Sequence, residues 1–278
     1  MNENSVSILG CGWLGLPLAG FFAGKGFRVK GSTTTEGKFD ALRAAGAEPF
    51  RIAIGDKVEG DLNSFLQSDI LIVDIPPQRC EDIVEYHVGQ VSMLIDAILE
   101  SPVKHVLFVG STSVYPALGR ELVEEDAQDP DAADTEVGRA LLYVEEMLRS
   151  ESGFSTTVVR FSGLIGPGRT PLDFMRRMKE IADPEQPVNL IHLDDCVQVI
   201  SRIISSGVWG EVFNASCPGH PMRKDFYAAA AESHGVALLP FAATAVHPSR
   251  TISSAKLEKT LEYSFLHPDP IAFARSVE

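Results

Sequence analysis

Cations are scarce in this chain of 278 residues: 24 lysines and arginines stand against 38 aspartates and glutamates, a formal net charge of −14. DNA and RNA are held by clustered cations on their phosphates, so a nucleic-acid partner is excluded. Cysteines are few as well. Cys11, Cys80, Cys196 and Cys217 lie too far apart to make a CxxC or a Cys/His ligand pattern. They read as isolated thiols in a reducing cytoplasm, and no metal site is expected. No apolar run is long enough to span a bilayer, and the N-terminus lacks a basic stretch followed by an apolar one. A cytoplasmic protein without a membrane partner follows as the expectation. Internal repeats and low-complexity tracts are missing too. What remains, 45% hydrophobic and 22% charged residues, is the composition of an ordinary globular protein. Its length suits one large α/β domain, or a nucleotide domain with a small annex.

The most informative segment present is Val6–Leu18. The apolar run Val6–Leu9 passes directly into Gly10-Cys11-Gly12-Trp13-Leu14-Gly15 and then into helix-forming sequence. Strand, glycine turn and helix in that order make a phosphate-binding turn. Gly10 allows the tight exit from the strand, Gly12 lets bare backbone approach a pyrophosphate, and Gly15 lets the helix pack against the sheet. The diphosphate would sit on free N–H groups at the helix N-terminus, and Gly10, Gly12, Trp13, Leu14 and Gly15 are the cofactor-binding residues of the turn. An acidic protein can bind a dinucleotide this way, because the turn works through backbone dipoles.

Apolar runs alternate with helical periodicity through the first half of the chain, the signature of a parallel sheet covered on both faces. The expected strands are Val6–Leu9, Phe27–Lys30, Pro49–Ile52, Ile70–Asp74, His105–Gly110 and Thr157–Arg160. Helices are expected at Leu16–Ala23, Lys38–Ala45, Glu81–Glu100 and Val137–Arg149. Further on, a helix near Leu172–Ala182, a strand Val188–Ile191, and helices Asp195–Ser205, Arg223–Ser233 and Ser254–Leu261 are expected. The fold class is therefore α/β, a doubly wound parallel sheet (Rossmann fold) with a small C-terminal substrate-side subdomain. Residues 1–162 and 187–208 are assigned to the dinucleotide domain, and 163–186 and 209–278 to the subdomain. The charged run Glu121–Asp134 reads as a solvated loop.

In dinucleotide folds an acidic side chain at the end of the second strand selects NAD by binding the ribose 2′-hydroxyl. Here that strand runs into Ser32-Thr33-Thr34-Thr35, with Glu36 late and Lys38 just after it. Hydroxyls and a nearby ammonium suit a 2′-phosphate, which favours NADP over NAD. The alternative is that these hydroxyls cap the next helix. Asp74-Ile75-Pro76, after the fourth strand, belongs to the same cofactor passage. Its carboxylate would take a ribose hydroxyl, act as a base, or cap a turn.

Several segments together resemble the extended short-chain dehydrogenase/reductase superfamily, which includes NAD-dependent sugar epimerases and dehydratases. Besides the opening turn, Val106–Tyr115 looks like the family strand that ends in a catalytic Ser or Thr ahead of a Val-Tyr pair. Glu124–Pro130 is similar to its acidic approach to the catalytic helix. Arg160–Arg169 looks like the strand and GPG turn beside the nicotinamide, and Asn189–Asp195 and Glu211–Asn214 match later strands near the substrate. The resemblance implies a small polar substrate, a sugar or sugar nucleotide among the options, and homodimers as a frequent assembly.

The family's chemistry uses a tyrosine and a lysine four residues apart on one helix face, the ammonium lowering the phenol pKa. This chain contains no Tyr-x-x-x-Lys. Alignment of the helix puts Val137 and Leu141 in those places, with Val144 and Leu148 completing an apolar stripe. Ser111, just past the carboxyl end of a central strand, becomes the leading catalytic candidate, with loop-backbone bonding as its structural alternative. Thr112, Tyr115 and Tyr143 follow as weaker ones. His192, beside Asp194 and Asp195, is a candidate acid or base on the substrate side, and Arg169 and Arg250 are candidate anion anchors. Two readings stand: an oxidoreductase or epimerase/dehydratase-like enzyme, or a non-catalytic sensor that keeps the dinucleotide site.

Overall fold

The alternation read from the sequence folds into a seven-stranded sheet in a computed structural model that describes residues 4–78, 80–242 and 248–276. Across the sheet the order is Val212–Ala215, Ser155–Phe161, His105–Ser111, Ile70–Val73, Ser5–Leu9, Arg28–Thr33 and Glu48–Arg51. Pairing of Ser5–Leu9 with both its neighbours is parallel, Val6 opposite Val29 on one side and Ile70 on the other. The inner strands are buried on both faces, which is why Ile70-Leu71-Ile72-Val73 reads as an unbroken apolar run. The six strands expected before residue 161 are all present in this sheet. Only the second differs by more than two residues, running on to Thr33.

The order in which strands are added reverses between Ser5–Leu9 and Ile70–Val73, which run parallel. Strands two and three lie on one side of the first, and the fourth lies on the other. The carboxyl ends of this pair, Gly10 and Asp74, therefore mark the topological switch point where such sheets open a crevice. Helices Gly15–Gly24, Phe39–Ala44, Ile83–Leu99 and Glu136–Ser150 are the crossovers. Thr135 caps the last of these, its Oγ1 accepting from the Gly138 N–H at 3.0 Å. Among its stripe residues Leu141, Val144 and Leu148 are buried, but Val137 is 37% exposed, because it falls in the first turn before the helix meets the sheet.

The chain divides into two compact units. The first comprises Met1–Val114, Gln128–Arg160 and Gly207–Val212; the second comprises Tyr115–Ala127, Phe161–Ser206 and Phe213–Glu278. Residues 187–206, which the sequence assigned to the dinucleotide domain, thus cluster with the second unit. The reason is strand pairing: Leu190–His192 pairs with Gly163–Ile165 and not with the main sheet. A second parallel pair there joins Arg120–Leu122 to Arg250–Ile252. The helix expected over 172–182 stops at Met175. Thr170 and Asp173 form its capping box with Pro171 at the first position, but Arg176, Arg177, Lys179 and Glu180 leave no apolar stripe to bury. The helices Leu193–Ser206, Arg223–His234 and Ala255–Leu261 match expectation, and Pro270–Arg275 is additional.

The run Glu121–Asp134 is more than a solvated loop. In the second unit Leu122 and Ala127 are buried, Glu124 is 5% exposed, and Asp126 holds Arg120 with two hydrogen bonds of 2.8 and 2.6 Å. The guanidinium lowers the Asp126 carboxyl from 3.8 to about 2. In the first unit Pro130 is buried as well.

Candidate functional site

Gly10 adopts φ +103°, and a Cβ there would lie 2.2 Å from the Asp74 carbonyl oxygen. A Cβ on Gly15 would lie 2.3 Å from the Gly10 carbonyl oxygen. Both positions are closed to any other residue by the protein's own backbone. Gly12 differs: a Cβ there would meet no atom within 4 Å, and its φ is unremarkable for an L-residue. Nothing in the protein's packing requires glycine at 12. The helix that follows starts at Gly15 with Leu14 as its N-cap and no side chain capping it, and its first turn carries no acid. An uncapped helix N-terminus preceded by an open approach fits an anionic group such as a diphosphate. Leu14 is buried, so it contributes backbone only, and Trp13 is half-buried.

Beside the turn lies a cleft of about 800 Å³. Its walls bring together Gly10, Ser32, Thr33, Thr34, Ile75 and Pro76, all expected to bind cofactor. Gly12, Trp13, Leu14, Gly15 and Asp74 are not among its lining residues. Ser32 is buried, and its hydroxyl accepts from the Gly10 N–H at 2.9 Å, so it ties the turn to the second strand. The Thr33 hydroxyl accepts from the Thr35 N–H at 3.3 Å. Among the three hydroxyls expected to read the ribose, only that of Thr34 is exposed. Asp74 donates its backbone N–H to Leu9 at 2.8 Å and is half-buried. Cys11, packed under the turn, has its thiol pushed up to about 12 by burial, which makes it inert.

Ser111 ends its strand half-buried, and its Oγ accepts from the Ser113 N–H at 3.1 Å. That bond fixes the loop and leaves the hydroxyl proton available for donation. Thr112 is buried in the following 3₁₀ turn. The helix starting at Glu136 packs tightly on this loop, since a Cβ on Gly138 would lie 2.9 Å from the Ser113 carbonyl oxygen. Tyr143 points away from the loop: its phenol donates to Asp131 Oδ1 at 3.3 Å, and that charge raises its pKa. A phenol made harder to ionise is the opposite of what the superfamily's catalytic tyrosine requires. Behind the strand, Glu145 and Arg160 form a buried pair, with Nη2 2.6 Å and Nε 3.1 Å from the carboxylate. Burial pushes Glu145 up, against the pull of the guanidinium.

The remaining candidates lie in the second unit. Tyr115 is fully buried; its hydroxyl donates to Asn214 Oδ1 at 2.6 Å and its carbonyl accepts from Arg250 at 2.8 Å. The phenol, ranked among the catalytic candidates, thus has a structural bond, and Arg250 serves the same loop. Asn214 in turn donates its N–H to Glu124 at 2.8 Å, and burial raises the pKa of that carboxyl. Arg169 closes a turn with Gly166. His192 is buried, and its Nδ1 accepts from the Asp194 N–H at 3.2 Å, capping the helix Leu193–Ser206. Asp194, His192 and His267 lie close enough to one another to hold a cation, and the cap engages the Nδ1 of His192.

Sequence reading missed several groups. Asp195, fully buried, accepts from Tyr263, Leu266 and His267 and so fastens the chain near its end. Glu145 carried a legible signal: a carboxylate four residues after Leu141 on an apolar stripe needs a buried cation. The hairpin Ala53–Ile54 with Val58–Glu59, which walls the cleft, carried none, because strands of two residues have no period to read.

The profile of the NAD dependent epimerase/dehydratase family matches residues 77–216. Protein YeeZ of Escherichia coli (strain K12) is 30% identical over 270 residues, 96% of this chain and 97% of its own. UDP-glucuronic acid 4-epimerase from Bacillus cereus, solved in complex with NAD, superposes with a TM-score of 0.81 at 15% identity, covering 98% of this chain and 96% of the other. A conserved protein of unknown function from Silicibacter pomeroyi DSS gives a TM-score of 0.78 at 21% identity, covering 98% and 97%. At these identities the two structures establish likeness of fold.

Proposed function

Since the chain belongs to the NAD dependent epimerase/dehydratase family, we propose that it binds a nicotinamide dinucleotide on the Gly10–Gly15 turn, NADP in preference to NAD, and acts on a small polar substrate of the sugar or sugar-nucleotide kind. The observation that carries this is Gly12, a glycine that neither packing nor backbone conformation demands, before an uncapped helix N-terminus. The NADP preference rests on the absence of a carboxylate from Ser32-Thr33-Thr34. A bound nicotinamide supplies reversible hydride transfer at a carbon bearing a hydroxyl. Ser111 holds the proton: its Oγ, already oriented by the Ser113 N–H, has one O–H to donate. One observation favours a second reading, a sensor without turnover: the chain has no Tyr-x-x-x-Lys.

Titration of the protein with NADPH and with NADH, followed by nicotinamide and Trp13 fluorescence, tests the cofactor site. NADPH is expected to bind more tightly. Gly12→Asp is expected to lower that affinity about tenfold or more by setting a carboxylate against the phosphates. Its stability should change by less than about 0.5 kcal/mol, as the new side chain meets no protein atom. Binding of neither nucleotide to the unaltered protein would overturn the proposal.

A further inference from the structure

The cleft beside the glycine turn has a second wall that the superfamily resemblance does not account for. After the third strand the chain makes a short antiparallel hairpin, Ala53 opposite Glu59 and Ile54 opposite Val58, with Gly55-Asp56-Lys57 at its tip. The hairpin is anchored on both sides. The Ile52 N–H donates to the Thr33 carbonyl at 3.1 Å, and the Gln90 amide, itself bonded to His87, donates to the Ile54 carbonyl. Gly60 closes its base, where a Cβ would lie 2.0 Å from the Arg51 carbonyl oxygen. The tip is thereby held beside the cleft wall formed by Thr33 and Thr34, where the second strand ends.

Charge within the cleft is distributed unevenly. Lys57 is the one cation among the described lining residues. Of the two lining carboxylates, Glu59 is paired with Arg51 at 3.0 Å, which leaves Asp56 as the group that opposes Lys57. Ile52, Ile54, Ile75, Pro76 and Tyr86 add apolar and aromatic side chains to the same lining. Apolar and aromatic side chains, a threonine hydroxyl and a single ammonium are the chemistry that receives an adenosine bearing a phosphate on its ribose.

Resting on the dinucleotide reading above, we infer that Lys57, at the tip of the hairpin, is the residue that recognises the adenosine 2′-phosphate, with Thr34 as its hydroxyl partner and Asp56 as the group that limits the preference. Selection between the two nicotinamide cofactors then rests on the hairpin after the third strand together with Thr34. The ammonium meets the extra phosphate as a point charge, while Ser32, which sequence alone nominates for the same task, is occupied in holding Gly10.

Calorimetric titration with 2′,5′-ADP and with 5′-AMP, which differ by the 2′-phosphate alone, tests the assignment without reference to turnover. The unaltered protein should bind 2′,5′-ADP more tightly. Lys57→Ala should weaken 2′,5′-ADP about tenfold, the size of a charge-assisted bond, and leave 5′-AMP within about twofold. Lys57→Arg should restore most of the loss, and Asp56→Asn should tighten 2′,5′-ADP alone. If Lys57→Ala weakens both ligands equally, or neither, Lys57 does not read the 2′-phosphate and the inference is overturned while the dinucleotide site stands. If the unaltered protein binds neither ligand, the dinucleotide reading fails and takes this one with it.

Discussion

Ser111 shows how much of a residue's role is visible at its own scale. Its place just past a central parallel strand made it a candidate from sequence, and the structure leaves it half-buried with its Oγ oriented by a backbone N–H. The competing phenols are less suited: Tyr115 is buried on Asn214, and Tyr143 is raised by Asp131. Ser111→Ala is therefore expected to reduce turnover by about a hundredfold, the usual weight of a positioned proton donor, with little change in dinucleotide affinity. Steady-state kinetics beside a binding titration would check this, and turnover unchanged in the variant would remove Ser111 from the chemistry. The glycines were legible for a related reason. The glycine spacing is a local pattern, and at Gly15 the obstructing carbonyl is that of Gly10, whereas at Gly10 it is the carbonyl of Asp74 at the end of the neighbouring strand.

Strands and helices of the main sheet were readable because each buries a continuous or periodic apolar face, and period survives in the sequence whatever the partner. The cleft hairpin, whose strands have two residues each, and the single turn Leu62–Phe65 show no such face in the sequence. The helix Glu136–Ser150 lies between these cases. Its stripe was read, yet Glu145 within it belongs to a pairing with the strand Ser155–Phe161 that periodicity does not encode. Both side chains are 3% exposed, so removing one partner leaves a buried charge alone. Glu145→Ala is expected to cost about 3–5 kcal/mol in urea unfolding, whereas Glu145→Leu together with Arg160→Met should recover most of that loss. A double variant as unstable as the single one would mean that the pair is not the unit that matters.

Over the whole molecule the excess of acid sets the response to pH. Asp126, lowered to about 2 by Arg120, adds stability that is present above 3.8 and lost as pH falls through about 2. Asp69 and Asp173 are lowered too and act in the same sense. Glu124 acts oppositely: burial raises it above 4.5, so its contribution is greatest below that value and is lost as pH rises through its folded pKa. With a net charge of −14 at pH 7, self-repulsion adds to that decline. Unfolding free energy measured against pH should peak on the acid side of neutrality, and Glu124→Gln should flatten the limb above the peak. A profile that rises steadily to pH 8, unchanged by Glu124→Gln, would refute this balance.

The sequence by itself determined the alternation that builds the doubly wound sheet, the glycine turn and the absence of any Tyr-x-x-x-Lys, because each is a pattern of residues close together in the chain. Tertiary structure decided which hydroxyls and charges remain available. Ser32 is held by Gly10, Tyr115 by Asn214, and Arg160 by Glu145, while Lys57 is brought to the cleft by a hairpin too short to read. The partners in the first three bonds lie 22, 99 and 15 residues apart, and only folding fixes which of them meet.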